Sequence, residues 1–287
     1  MSNLKEFDTN KRWTAEVRTT RRITPEKADE VRNIQLYIPG TGFAYQVGQS
    51  VGIIIPGPHA FGNATHMRLY SIADACPDPD GGTEIDLCVR RCFYIDEVSG
   101  ERFPGVASNA LCDARPGDQF ILTGPYRSQF KMPPESSCNV LMIGTGTGIA
   151  PFRAFLKEAY ERHSGWQGQV RLYYGARTGM EVLYQNNHND DLSNYYDQAT
   201  YQAFSGLSRR PGLQGEGDAL QSTLKEHAQE IWTLVQEPNT YVYLAGLERI
   251  SSALDQLMSE LAGSASRWRW MRQDLRDQGR WSEILYV

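Results

Sequence analysis

The chain has 287 residues, a formal net charge of −5, 40% hydrophobic and 22% charged residues, which bounds it to a folded protein of one large or two ordinary domains rather than a disordered one. The acidic balance argues against nucleic acid or an anionic lipid surface as a bulk electrostatic partner. No apolar run approaches the ~20 residues of a membrane helix, so no membrane insertion is expected, and the opening MSNLKEFDTNKRW lacks the apolar core of a secretory signal.

In chain order, the first part shows short strand-like runs between Gly, Pro and Asp turns: Trp13–Thr20, Val31–Ile38, Val51–Ile55, Ile85–Arg91 and Gln119–Thr123. Helical periodicity is nearly absent there, which predicts an antiparallel sandwich or barrel. Residues 124–137 are rich in Pro, Ser and charge and read as a linker. Beyond them the period changes. A buried-strand run, Asn139–Ile143, precedes a glycine-rich turn and a helix over Pro151–Arg162. Val170–Tyr174, Thr200–Phe204 and Thr240–Leu244 read as further strands. The last leads into a helix with Ile250, Leu254, Leu257, Met258 and Leu261 on one face. Alternating strands and helices imply a parallel sheet covered on both sides. Residues 185–198, polar and Asn-rich, read as a surface loop or irregular helix, and Trp268 and Trp270 as packing residues on one face of a strand. The expected organisation is a β domain over residues 1–130 and an α/β domain over residues 131–287.

The cysteines Cys76, Cys88, Cys92, Cys112 and Cys138 are odd in number, irregularly spaced and without a C-x-x-C pair. A reducing compartment, the cytoplasm, is therefore expected. Cys88 and Cys92, four apart, fall on one face of a strand by parity. The histidines, His59, His66, His163, His188 and His227, have no metal-ligand spacing, and no metal site is expected.

The run Gly144-Thr145-Gly146-Thr147-Gly148-Ile149-Ala150-Pro151 follows a strand and opens a helix. Glycines there let the backbone approach a pyrophosphate, and the helix start supplies free N–H groups; the plainer reading is a tight turn for close strand–helix packing. After Thr200–Phe204 comes Ser205-Gly206-Leu207-Ser208-Arg209-Arg210, with no acid. Ser and Arg donors suit a 2′-phosphate rather than a free ribose, and a solvated basic loop is the alternative.

Arg68-Leu69-Tyr70-Ser71-Ile72-Ala73 offers a cation, an aromatic ring and a hydroxyl in a strand context. It is preceded by Tyr45–Gly52 and followed in order by Leu87–Arg91, Tyr94, Gly105–Asn109, Leu111–Asp113, Leu122–Pro125 and the glycine turn. This ordered set closely resembles the plant-type ferredoxin–NADP reductase family over nearly the whole chain. The resemblance implies an N-terminal antiparallel β-barrel that binds FAD and a C-terminal α/β domain with a parallel sheet that binds NADP(H). It implies that Arg68, Leu69, Tyr70 and Ser71 form the flavin-binding strand, with Tyr70 on one ring face and Ser71 near N5. Cys88, Val89 and Arg90 match the next flavin strand, Tyr94 the ring that stacks on the FAD adenine, and Gly105, Val106, Ala107 and Ser108 the pyrophosphate loop. Thr147 matches a residue between flavin and nicotinamide. Ala176 and Arg177 match the dinucleotide cradle, Ser208 and Arg209 the 2′-phosphate pair, and Gly246 and Leu247 the turn beneath the nicotinamide. Tyr286 matches the terminal aromatic that covers the flavin, a movable gate by this reading. The chain departs from the family pattern at Gly217 and Ala219, where a Lys and a Tyr complete the 2′-phosphate site. It also departs at Ala107 and Ala245, each in place of a Cys, at Ile284 in place of a carboxylate (Glu283 being one place off), and at the extra Val287.

The implied activity is hydride transfer from NADP(H) to FAD and onward one-electron transfer to a small acidic carrier, a ferredoxin or flavodoxin. Arg91, Arg127 and Lys131 are candidates to steer that carrier. Two alternatives stand beside it: a reductase component that serves an oxygenase directly, compatible with Gly175-Ala176-Arg177-Thr178, and a non-catalytic flavin- or dinucleotide-binding module.

Overall fold

The computed structural model describes residues 7–59, 64–79, 81–96, 99–128, 130–162, 165–210 and 215–286; His163 and Val287 lie outside them. The chain divides into two compact units, Met1–Ser128 and Gln129–Val287.

The first unit is a closed antiparallel barrel of six strands. They are β1 (Arg12–Arg22), β2 (Val31–Ile38), β3 (Ser50–Pro56), β4 (Thr65–Pro77), β5 (Thr83–Arg90) and β8 (Gln119–Tyr126), in the order β1-β2-β5-β4-β3-β8. Closure leaves no bare barrel edge. Alternate residues point inward, so Ala15, Val17, Ile34, Leu36, Val51, Ile53, Ile85, Leu87, Val89 and Leu122 form one core. A separate hairpin pairs β6 (Phe93–Ile95) with β7 (Arg102–Pro104). The helix α1 (Val106–Asp113) follows it and buries Leu111 and Cys112 against the barrel. This helix lies in a stretch whose periodicity predicts none, because eight residues with two apolar anchors leave too short a period to read.

The second unit carries a five-stranded parallel sheet in the order β11-β10-β9-β12-β13: β9 (Asn139–Thr145), β10 (Val170–Ala176), β11 (Tyr201–Leu207), β12 (Thr240–Leu247) and β13 (Trp281–Tyr286). Every residue of β9 is buried, as a central strand covered on both faces requires. The helices are α2 (Ile149–Lys157), continued by a π turn Glu158–Arg162, α3 (Glu216–Glu226), α4 (Ala228–Gln236), α5 (Arg249–Leu261) and α6 (Ala265–Asp277). The core seats Ile250, Leu254, Leu257 and Met258 of α5 together with Leu220, Leu224, Ile231 and Trp268. The two-part architecture inferred from the change of period is therefore observed.

Three local expectations are corrected. Residues 124–126 continue β8 rather than open a linker. Residues 185–198, read as a surface loop or an irregular helix, contain the latter: a 3-10 turn, Asp191–Tyr195, that buries Leu192 and Tyr195. Cys92 lies past the end of β5, so it shares no strand face with Cys88. Trp268 and Trp270 sit on α6, where a two-residue step turns the side chain through roughly 200°. Trp268 is accordingly 2% exposed and Trp270 70% exposed. The Trp268 indole N–H donates to Asp255 at 2.7 Å, and its ring meets Trp281 edge-on.

Glu283 is the hub of the α6–β13 contact. It accepts from the Trp281 indole N–H, from Arg272 and from Arg276, and Arg272 also reaches Asp255. Burial alone would raise the Glu283 carboxyl, but the Trp281 N–H and the two guanidinium groups outweigh it and hold it below its ordinary value of 4.5. Alternation along β13 sends Glu283 to the opposite face from Ser282 and Ile284. A carboxylate one place off along the strand is therefore on the other side of the sheet.

Two predictions follow from this packing. Trp268→Ala should destabilise by about 3–5 kcal/mol, and Trp270→Ala by less than ~0.5 kcal/mol, compared by urea unfolding; equal effects would contradict the helix assignment. Glu283→Gln should cost roughly 1–3 kcal/mol at neutral pH. Because its folded-state pKa is depressed, that contribution is present above about 4.5 and lost as pH falls through the lower folded value. Thermal melts of the two proteins should converge in acid, and a gap independent of pH would sink the assignment.

Candidate functional site

In the first unit, β4 pairs with β3 so that Arg68 faces Ile53, Leu69 faces Gly52, Tyr70 faces Val51 and Ser71 faces Ser50. Arg68 is exposed, while Leu69, Tyr70 and Ser71 are partly buried. Tyr70 packs on the barrel core, and burial pushes its phenol well above the ordinary tyrosine range, so it stays a neutral ring. Cys88 and Val89 on β5 are both buried, Val89 in the barrel core. Arg90, at the strand end, is paired with Asp29.

The loop after β7 is built by hydrogen bonds. Gly105 N–H donates to Cys92 C=O at 2.9 Å, Cys92 N–H donates to the Ser108 hydroxyl at 3.1 Å, and the Asn109 amide donates to both Cys92 C=O and Gly105 C=O at 2.8 Å. A Cβ on Gly105 would meet Ser108 Oγ at 3.0 Å and Cys92 C=O at 3.2 Å, so only glycine fits here without displacement. The Ser108 hydroxyl is thus occupied inside the loop. What the loop offers outward is the start of α1, whose first backbone N–H groups have no partner within the helix. Arg91 fixes this arrangement by reaching Glu30, Asn109 and Asp113. Those partners neutralise it, so Arg91 is not the steering cation its sequence position suggested. Cys112, behind α1, is pushed up to about 12 by burial and stays a thiol.

The β6–β7 hairpin presents Phe93, Tyr94, Ile95 and Phe103, all exposed. Tyr94 and Phe103 stack at 5.3 Å with 20° between their planes. Exposed apolar clusters of this kind mark interaction sites. The exposed Arg68, the open helix start and this aromatic shelf match the phosphate and adenine of a flavin dinucleotide in chemistry.

In the second unit the glycine turn closes against β12 by direct backbone approach. A Cβ on Gly148 would lie 2.2 Å from Ala245 C=O, and one on Gly144 would lie 2.8 Å from the same oxygen. Gly146 has φ +53°, and Gly246 has φ +132° with Thr145 Oγ1 2.6 Å from its Cβ position. Leu247 N–H donates to the Thr145 hydroxyl at 3.3 Å, and the Tyr174 hydroxyl donates to Gly146 C=O at 2.8 Å. Thr147 lies in the 3-10 turn Gly146–Gly148. The Tyr286 hydroxyl accepts from Thr147 Oγ1 at 3.4 Å and donates to Thr145 C=O at 3.3 Å. Thr147, Gly246, Leu247 and Tyr286 therefore converge on one spot. It lies at the C-terminal ends of β9 and β12, where the strand order reverses and open α/β sheets bind their ligands.

Ala176, Arg177, Ser208 and Arg209 lie farther along the same edge. Ser208 N–H donates to Ala176 C=O at 3.3 Å, and the Ser208 hydroxyl accepts Arg210 N–H at 3.2 Å. Arg177 pairs with Glu181 at 2.8 Å, and Arg209 is exposed. The helix α3 crosses this edge on glycine contacts: a Cβ on Gly175 would meet Glu216 C=O at 2.4 Å, and one on Gly206 would meet Ala219 C=O at 2.6 Å. Sequence reasoning missed Thr145 and Tyr174, whose side chains are ordinary strand residues until the turn is folded around them.

Comparison with known proteins agrees with this geometry. Residues 142–282 match the Oxidoreductase NAD-binding domain family. The chain is 33% identical over 247 residues to a leaf-type chloroplastic ferredoxin–NADP reductase of Nicotiana tabacum, covering 84% of this chain and 68% of that protein. It is 35% identical over 264 residues to the ferredoxin–NADP reductase of Thermosynechococcus vestitus, covering 89% and 68%. In fold it resembles the ferredoxin–NADP+ reductase of Plasmodium falciparum, with a TM-score of 0.71 at 20% identity over 96% of each chain. The chain belongs to the ferredoxin–NADP reductase family.

Proposed function

We propose that the protein is an FAD-dependent oxidoreductase that moves electrons between NADP(H) and a one-electron carrier protein, a ferredoxin or flavodoxin. The observation that carries this reading is the clasp of the glycine turn on β12, with Thr147 and Tyr286 hydrogen-bonded across it. FAD, when bound, supplies the chemistry: it takes two electrons as a hydride and releases them singly.

The chain's own residues bind and orient. Arg68 pairs with a flavin phosphate, the start of α1 receives the pyrophosphate, and Tyr94 with Phe103 receives the adenine. Tyr70, kept neutral by burial, would pack on the isoalloxazine, and Ser71 would offer its hydroxyl to the ring. Ser208 and Arg209 hold the 2′-phosphate, and the glycine turn accepts the pyrophosphate of the nicotinamide dinucleotide. Hydride transfer needs no side-chain acid or base, only short range and alignment. Ile284 in place of a carboxylate is compatible with that step.

Tyr286 acts as a gate. Its hydroxyl is 3.0 Å from the Gly146 Cβ position, so it sits on the stretch of backbone that a dinucleotide must approach. Its hydroxyl hydrogen bonds with Thr147 and Thr145 are long, 3.4 and 3.3 Å, and exchanging these for ligand contacts costs little.

The reading is tested by releasing the cofactor from purified protein and mixing the holoprotein anaerobically with NADPH. FAD in the supernatant, bleaching of the flavin band by NADPH and reduction of added ferredoxin are expected. FMN alone, or a flavin band that NADPH leaves untouched, would refute it. For the gate, Tyr286→Ser should tighten NADP+ binding and slow turnover through slow product release. Unchanged affinity with only a lower melting temperature would show that Tyr286 merely finishes the sheet.

A further inference from the structure

Arg249 opens α5, yet its guanidinium lies on α3. A Cβ on Gly215 would be 2.5 Å from one terminal nitrogen of Arg249, and a Cβ on Gly217 would be 2.5 Å from its Nε. The two glycines flanking the first residue of α3 thus form a bare shelf, and the guanidinium occupies the volume where a side chain from Gly217 would begin. Arg249 is exposed, and no ion pair or hydrogen bond of its side chain is found among the described residues.

This placement runs against local electrostatics. A cation in the first turn of a helix opposes the helix dipole, and Arg249 stands at the starts of both α5 and α3. The nearby acids do not explain it as a simple pair. Asp218 accepts the Gly215 N–H at 3.0 Å, and the Glu216 carboxylate points toward the glycine turn, 3.6 Å from the Gly146 Cβ position. Glu248, the residue before α5, is exposed. With the Asp218 carboxylate held on Gly215, the shelf without Arg249 would repel an anion.

The shelf also has a defined neighbourhood. Ala219, half a turn beyond Gly217, rests on Gly206 of β11, and β11 leads directly into Ser208 and Arg209. Ser208 and Arg209 follow directly on the end of β11, and Arg249, two residues past the end of β12, lies against the first turn of α3. Resting on the dinucleotide reading above, we infer that Arg249 is a specificity-determining residue. It supplies a guanidinium to the 2′-phosphate of the adenosine half and stands in from another helix for a cation that the first turn of α3 does not carry.

Calorimetric titration of the holoprotein with 2′-phospho-AMP and with AMP separates this residue from the reading it rests on. The wild type should favour 2′-phospho-AMP. Arg249→Leu should weaken 2′-phospho-AMP roughly 10- to 100-fold and AMP by less than about 2-fold, with an unchanged melting temperature. Adding Gly217→Lys to Arg249→Leu should recover part of the lost discrimination, because a lysine there starts from the position the guanidinium vacates. If the wild type discriminates and Arg249→Leu discriminates equally well, or loses both ligands alike, Arg249 has no such role while the NADP reading stands. If the wild type does not distinguish the two ligands, the 2′-phosphate reading falls and takes this inference with it.

Discussion

The close approach of two backbones organises the second unit. Gly144 and Gly148 bring the turn after β9 against Ala245 of β12 at distances that no side chain permits. That contact fixes where Thr145, Thr147, Gly246 and Leu247 lie relative to one another, and it gives the Tyr286 hydroxyl two oxygen partners on the turn. A Cβ at Gly148 would have to push β12 away from β9, in the middle of a sheet whose central strand is wholly buried. Packing cannot relax there cheaply, so the geometry of the crevice and the integrity of the core are one constraint.

The barrel unit solves a similar problem with charge and hydrogen bonds. Its loop before α1 is short and partly exposed, with no large core behind it to hold its shape. Arg91 ties the end of β5 to Glu30 on one side and to Asn109 and Asp113 of α1 on the other. Ser108 and Asn109 close the loop from within. A cation that the sequence offered as a contact for other proteins is thereby an internal brace, with its long side chain held mostly by carboxylates from this chain.

Much of the architecture was legible in the sequence because burial imposes period. The strands Val31–Ile38 and Val170–Ala176 and the apolar face of α5 carry their pattern over enough residues to be read. The glycine turn was legible because Gly is chemically singular. What stayed hidden has a common cause: it depends on which residues distant in the chain become neighbours. Trp268 and Trp270 look equivalent until helical rotation separates them. Cys92 looks like a strand residue until β5 stops at Arg90. Glu283 looks like a displaced functional acid until the pleat assigns it to α6. Arg249 follows the Gly246-Leu247 turn by two residues, but its relation to Gly215 and Gly217 exists only once α3 and α5 are packed.

The crevice edge of the second unit is uneven in its freedom to move. On one side α3 is seated on Gly175 and Gly206 through its own carbonyl oxygens, an arrangement with no slack short of separating helix from sheet. On the other side Tyr286 is the last residue of the terminal strand, and its ring is held at the tip by two long hydrogen bonds. On the proposed gating, reorganisation on ligand exchange is carried by one side chain swinging about the end of a strand. Such rearrangements belong to the nanosecond-to-microsecond range of side chains and chain ends rather than to the slower closure of whole domains. On that proposal the walls keep their shape between turnovers, and the cycle need not rebuild its binding surface each time a dinucleotide leaves.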